Sequence, residues 1–262
     1  MDDPIELLTK GELEIEGRLV DASNTTLRAV ISLGDAVARC VYKPVRGERP
    51  LWDFPDGTLA GREYAAYLLS EATGWSIVPP TVLREAPLGT GMVQLWIDED
   101  RQSPEPLVDF VPARRLPAGW HRVAAARGDD GRPYVLAHAD DPRLLRMAVF
   151  DCVINNADRK GGHVLPTVDG QVYGVDHGVC FHAEGKLRTV LWGWAGTELP
   201  DDAVEVLRAL RAGLDGDLGE ALEPHLTVTE SEALARRIDR LLRRGCLPPP
   251  SGNWPALPWP PI

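Results

Sequence analysis

Residues 150–165, FDCVINNADRKGGHVL, constrain the fold more than any other stretch of this chain. An apolar, β-branched run breaks into Asn155, Asn156, Asp158, Arg159 and Lys160, passes two glycines and His163, and returns to Val164 and Leu165. Polar groups set against apolar walls cost free energy unless they are paired or used. The segment therefore predicts a buried helix that ends in a polar loop lying inside the fold. The helix is expected over DPRLLRMAVFDCVINNA, with Asp141 as N-cap and Pro142 at its first position.

The elements around this loop can be read from local patterns. Residues 11–45 alternate apolar and polar residues between turns, which predicts three antiparallel strands ending in AVARCVYKPV. Thr58 is placed to cap a helix over LAGREYAAYLLSEAT that stops at Gly74. VPPTVLREAPLGTGMVQLWID reads as two further strands. Together these make a small α+β lobe, assigned to residues 1–98. Residues 99–140 are rich in Pro, Asp and Arg and predict an irregular or briefly helical connector. HVLPTV and VYGVDHGVCF predict a hairpin turning at Asp169-Gly170. Two helices follow, the second with Thr229 and Glu232 as a capping box and Gly245 as its stop. The second lobe is assigned to 99–246, and the proline-rich tail, 247–262, is expected to be extended and loosely packed.

Charge narrows the function classes. The chain carries a formal net charge of −11 and has only four lysines, Lys10, Lys43, Lys160 and Lys186. This balance argues against nucleic acid and against an anionic membrane surface as partners. No apolar run approaches the ~18 residues that span a bilayer, and the acidic N-terminus lacks a signal-peptide pattern, so a cytoplasmic protein is expected. The four cysteines are far apart, which predicts reduced thiols. The Arg, Ala, Gly and Pro bias suggests a bacterial genome of high GC content.

Three polar features stand in apolar contexts: Lys43 with Glu63, Asp158 with His163, and Asp176-His177-Gly178. A strand lysine paired to a helix acid can hold phosphate oxygens, a loop aspartate can orient a hydroxyl, and a further aspartate can hold a divalent metal. That division of labour is the phosphoryl-transfer pattern.

The order of these segments resembles the phosphatidylinositol 3-/4-kinase superfamily, above all its type II 4-kinase branch and related bacterial kinases. VYKP at 41–44 is similar to the strand motif that carries the nucleotide lysine, and GREYAAYLLSEATGWSIVPPT at 61–81 to the following helix and strand. VQLWID at 93–98 resembles the strand leading to the adenine hinge, NADRKGGH at 156–163 the catalytic loop, and DHG at 176–178 the metal-binding segment. The resemblance covers residues 15–182 and implies a two-lobed, protein-kinase-like α+β fold, with a β-rich N-lobe and a mainly helical C-lobe.

It also implies ATP with Mg²⁺ (or Mn²⁺) as cofactors and a hydroxyl of a protein or small molecule as acceptor. By the resemblance, Lys43 contacts phosphate and Glu63 braces it. Asp158 is the catalytic aspartate, Asp176 and His163 face the metal, and Gln94, Leu95, Trp96 and Ile97 flank the adenine. Asn24, Thr25 and Thr26 cover the phosphates. One departure stands out: His163 occupies the position where the family has a metal-ligating Asn. Nothing in the chain resembles the basic, lipid-facing surface or the clustered cysteines of a membrane lipid kinase, which argues against a phosphoinositide acceptor. Other readings stay open: a nucleotide-binding pseudokinase, transfer of the nucleotide monophosphate, or a metal-dependent hydrolase using His163, Asp176, His177 and His182.

Overall fold

A computed structural model describes residues 3–19, 24–98 and 106–262. Its first element was not expected. Helix α1 (Pro4–Lys10) forms because the Asp3 side chain accepts hydrogen bonds from the Ile5 and Glu6 N–H groups, with Pro4 at the first helical position. It buries Leu7 and Leu8 against a five-stranded sheet.

That sheet contains β1 (Glu12–Arg18), β2 (Leu27–Leu33), β3 (Ala36–Pro44), β4 (Thr81–Ala86) and β5 (Gly89–Leu95). The order is β1-β2-β3-β5-β4 and every pairing is antiparallel. Alternation along β3 buries Cys40, Tyr42 and Pro44 on one face and leaves Val41 and Lys43 on the other. Helix α2 (Leu59–Thr73) is capped as expected: Thr58 accepts from the Gly61 N–H, and Gly74 ends the helix at φ +68°.

The connector expected over 99–140 is instead a second antiparallel sheet within its described part. It is formed by β6 (Val108–Pro112), β7 (Trp120–Arg127) and β8 (Pro133–Ala139), in the order β6-β8-β7. Alanines at 124–126, and a register irregularity between Arg122 and Ala124, hide the two-residue period that marks a strand.

Helix α3 (Pro142–Ile154) is capped by Asp141 and ends at Asn155 in the left-handed region, φ +54°. Strands β9 (Val164–Pro166) and β10 (Val172–Gly174) turn at Asp169-Gly170. The second strand stops seven residues short of its expected end at Phe181, because Asp176 (φ +62°) and Phe181 (φ +69°) leave the extended region. The remaining helices are α4 (Asp201–Gly213), α5 (Asp217–Leu222) and α6 (Val228–Arg244). The larger core gathers around α3, with α2, α4 and α6 packed against it. No helix among the described residues is long and apolar enough to cross a membrane.

The capping box of α6 sits two residues earlier than expected, at Thr227 and Glu230. Two overlapping T-x-x-E matches are present in the sequence, and a non-local contact selects between them. Glu230 also pairs with the buried Arg62 of α2 at 2.5 Å. The tail departs from expectation as well, because it is packed. Pro258 and Pro261 are buried, the Pro261 carbonyl accepts from Gly161 N–H (2.8 Å), and the Ala256 carbonyl accepts from Trp192 Nε1 (2.7 Å).

Thr227→Ala is expected to lower unfolding stability by about 1 kcal/mol, whereas Thr229→Ala, at an exposed position, stays within ~0.5 kcal/mol of the parent. Urea denaturation measures both, and equal losses would remove the assignment of the cap to Thr227.

Candidate active site

A cavity of about 520 Å³ lies between the first sheet and the loops that follow α3. Its wall includes the residues that the kinase resemblance assigned, Asn24, Thr25, Thr26, Lys43, Glu63, Gln94 to Ile97, Asp158, His163 and Asp176, but not His177 or His182. Residues 20–23, in the turn expected to cover the phosphates, lie outside the described residues.

Lys43 reaches the cavity because β3 alternates, and it meets two carboxylates there. Its Nζ lies 2.5 Å from Glu63 Oε1 and 2.8 Å from Asp176 Oδ1. Burial would lower the Lys43 ammonium, but Asp176 and Glu63 outweigh it and hold the pKa above the usual value. The second oxygen of Glu63 accepts from the His177 backbone N–H at 2.9 Å. A single carboxylate on α2 therefore ties the sheet lysine to the Asp176 segment. Burial raises the pKa of Glu63, with Lys43 opposing. The Lys43 charge holds the Asp176 carboxyl well below the usual carboxylate range. The positive φ of Asp176, uncommon for a non-glycine residue, turns its side chain toward Lys43.

Asp158 stands on the loop after α3, its N–H donating to Asn156 Oδ1 at 2.9 Å. Burial raises its pKa, partly offset by Lys160, whose Nζ lies 3.2 Å from Asp158 Oδ2. Sequence reading did not assign Lys160 to the site, although its rarity in this chain and its place two residues after Asp158 were available signals. Glu48 was also missed. Its carboxylate accepts from the Leu59 and Ala60 N–H groups at 2.9 and 2.8 Å, capping α2 from the cavity wall. No local pattern marks it.

His163 Nε2 lies 3.5 Å from Asp176 Oδ2. Burial pulls the His163 pKa down to about 4, so the ring is neutral at pH 7, and its buried Nδ1 has no hydrogen-bond partner among the described residues. A neutral imidazole beside an ionised carboxylate is a donor pair that fits a divalent ion. Mg²⁺ commonly takes only one or two protein ligands and completes its shell with phosphate and water. Among the described residues no group of three His, Cys, Asp or Glu side chains converges to hold a metal. His177 is buried against Arg159, with Nε2 2.7 Å from Nη2, and His182 Nδ1 accepts from the Glu184 N–H. The four groups of the hydrolase reading are thus not assembled around one ion.

In the hinge segment, the Gln94 side chain donates to Thr81 Oγ1 inside the sheet (2.8 Å). The Leu95 and Trp96 N–H groups bond to Pro80 and Arg39 carbonyls. The Gln94 amide and these two N–H groups are thus engaged within the protein itself.

No protein-family profile matches the chain. Among solved structures, the Golgi casein kinase covers 93% of this chain and 73% of its own, at 14% identity and a TM-score of 0.47. The Helicobacter pylori proinflammatory kinase CtkA covers 91% of this chain and 94% of its own, at 13% identity and a TM-score of 0.43. No residue role is carried over from either. A much nearer relative is Protein Rv2133c of Mycobacterium tuberculosis, 52% identical over a 266-residue alignment that takes in 99% of this chain and 95% of that protein. On that identity and coverage, the chain belongs to the same family as Protein Rv2133c.

Proposed function

We propose that this protein is a kinase-type phosphotransferase that uses ATP and a divalent metal to phosphorylate a hydroxyl of a protein or small molecule. One observation carries the reading. Lys43 is shared between Glu63 and Asp176, and Glu63 also holds the His177 N–H, on the wall of a cavity that contains Asp158 and Lys160. Such a linkage positions one ammonium for phosphate oxygens and leaves one carboxylate for a metal.

In the reaction, Lys43 holds nonbridging phosphate oxygens while Glu63 fixes its position. The acceptor hydroxyl lies against Asp158, whose carboxylate takes the hydroxyl proton as the new O–P bond forms and the bond from Pγ to the β-phosphate oxygen breaks. Lys160 balances the charge that gathers beside Asp158. Asp176 and His163 would hold Mg²⁺ or Mn²⁺, which supplies Lewis-acid neutralisation of the phosphates. Imidazole favours the more borderline Mn²⁺ over Mg²⁺.

A second reading, a nucleotide-binding module without transfer, draws on the direct Lys43–Asp176 contact, which occupies a metal-facing oxygen. The two differ in what Asp158 does.

ATP with Mg²⁺ or Mn²⁺ is expected to raise the melting temperature, more with Mn²⁺, and Asp176→Asn to abolish the metal-dependent part. No shift with either pair would defeat the nucleotide-binding reading altogether. Asp158→Asn is expected to keep the shift and lose about 10²- to 10⁴-fold in ATP turnover; unchanged turnover would favour the non-transferring module. Intact mass of the modified acceptor distinguishes phosphoryl from nucleotidyl transfer.

The pH profile adds a further check. Asp158 must be ionised to accept a proton, and its pKa is raised. Activity is therefore expected to be present at neutral pH and lost as pH falls, with the acid limb of kcat/KM above the ordinary aspartate value of about 3.9. A limb at or below that value would rule out Asp158 as the base.

A further inference from the structure

A second cavity, of about 350 Å³, lies on the other side of α3's C-terminus, between α6 and the start of the tail. Arg237, Arg240 and Arg244 contribute to its wall from α6, spaced three and four residues apart and so on one helix face. No carboxylate among the described residues lines the cavity. The acidic residues of α6 are engaged elsewhere: Glu230 with Arg62, Glu232 with Arg236, and Asp239 with Arg211. No ion pair joins Arg237, Arg240 or Arg244 to a carboxylate among the described residues.

The three differ in depth. Arg240 and Arg244 are exposed, whereas Arg237 is largely covered. Arg237 donates through Nε to the Val153 carbonyl (2.7 Å) and through Nη1 to the His182 carbonyl (3.0 Å), while its buried Nη2 has no partner among the described residues. Burial, reinforced by the neighbouring arginines, pulls the Arg237 pKa down to about 10, so it remains charged at pH 7. The opposite walls are apolar: Leu187, Trp192 and Pro248 to Pro250. In a chain of net charge −11, three uncompensated guanidinium groups around a concave, partly apolar site are a receptor for an anion. The planar guanidinium fork matches phosphate and carboxylate oxygens in bidentate geometry.

We infer that this cavity binds a small organic oxyanion carrying two or more negative charges, a phosphate ester or a polycarboxylate, held by the exposed Arg240 and Arg244 with the charge of the covered Arg237 in support and its carbon skeleton against Trp192 and the proline wall. Such an occupant would also touch Asn155. The Asn155 side chain bonds the His182 and Glu184 carbonyls (2.8 and 2.6 Å) and accepts from the Lys186 N–H (2.9 Å). The site therefore adjoins the residue immediately before the Asn156–Asp158 loop.

The test is titration calorimetry of the full chain with pyrophosphate and with citrate, at fixed ionic strength set by chloride. Three proteins are compared: the parent, Lys43→Ala in the first cavity, and Arg240→Gln/Arg244→Gln in the second. Binding of at least one probe is expected to persist in Lys43→Ala and to weaken about tenfold or more in the double variant, consistent with loss of charged hydrogen bonds. Which probe binds identifies the phosphate or the carboxylate source. Binding lost in Lys43→Ala but kept in the double variant would assign the anion to the first cavity and overturn the inference. Absence of heat with both probes in the parent would also overturn it. Because Arg240 and Arg244 are exposed, the double variant should fold, which its melting temperature verifies. Neither outcome depends on whether the first cavity transfers phosphate.

Discussion

The ion pair between Asp151 and Arg159 organises the loop on which the proposed chemistry rests. Both side chains are fully buried, and the guanidinium meets the carboxylate through Nε and Nη2 at 2.9–3.2 Å. Arg159 Nη1 donates to the Val175 carbonyl at 3.1 Å, and Nη2 also approaches His177. Asp151 accepts from Asn156 Nδ2 at 3.0 Å. One buried pair thus joins the end of α3, the loop carrying Asp158, and the segment carrying Asp176. Burial alone would lower the Arg159 pKa, but Asp151 overcomes it and holds the group above its usual value. A buried charge left without its partner costs about 3–5 kcal/mol, so the geometry of the loop and the charge of the pair are fixed together.

Helix α2 extends this arrangement across the cavity. Arg62 and Glu63 are neighbours in sequence, both nearly inaccessible, yet they serve different bodies. Arg62 pairs with Glu230 at the start of α6 and donates to the Cys180 and Asp56 carbonyls. Glu63 holds Lys43 of β3 and the His177 N–H. Adjacent helical residues point about 100° apart, so one helix can address the sheet and the helical core at once. Gly178 lets α2 approach: a Cβ there would lie 3.3 Å from the Leu59 Cβ. The position of Lys43 relative to Asp158 is set by this contact as much as by the sheet.

What was legible in the sequence follows the range of the interactions. The alternation of β3, the caps at Thr58 and Asp141, and the Asp169-Gly170 turn are local, and each was readable. The strands β6 to β8 were not, although β7 and β8 pair as neighbours in the chain: Ala124 to Ala126 give no β-branched signal, and the register irregularity between Arg122 and Ala124 breaks the alternation. Thr227 and Thr229 offered the same local motif, and Glu230 of the observed box also pairs with the distant Arg62. Arg159 was visible as a charge in an apolar setting, but nothing in the spacing showed that Asp151, eight residues earlier, would neutralise it. The packed tail was misread for a related reason. Its prolines lack N–H groups, so its order comes from carbonyls that accept from Gly161 and Trp192 elsewhere.

A chain of net charge −11 poses an electrostatic problem for any polyanionic ligand. Two of the four lysines, Lys43 and Lys160, line the same cavity, each beside an aspartate or glutamate. Those carboxylates keep the ammonium groups in place, and the wall carries four acids, Glu48, Glu63, Asp158 and Asp176, against the two lysines. On the proposed function, an incoming phosphate would compete with Asp176 for Lys43, while a divalent ion at Asp176 would weaken that aspartate's hold on the lysine. Nucleotide and metal should on this account bind cooperatively, since each removes a cost that the other would meet alone. The left-handed backbone at Asp176 belongs to the same logic: it keeps the carboxylate between Lys43 and His163, within reach of either the ammonium or a metal ion.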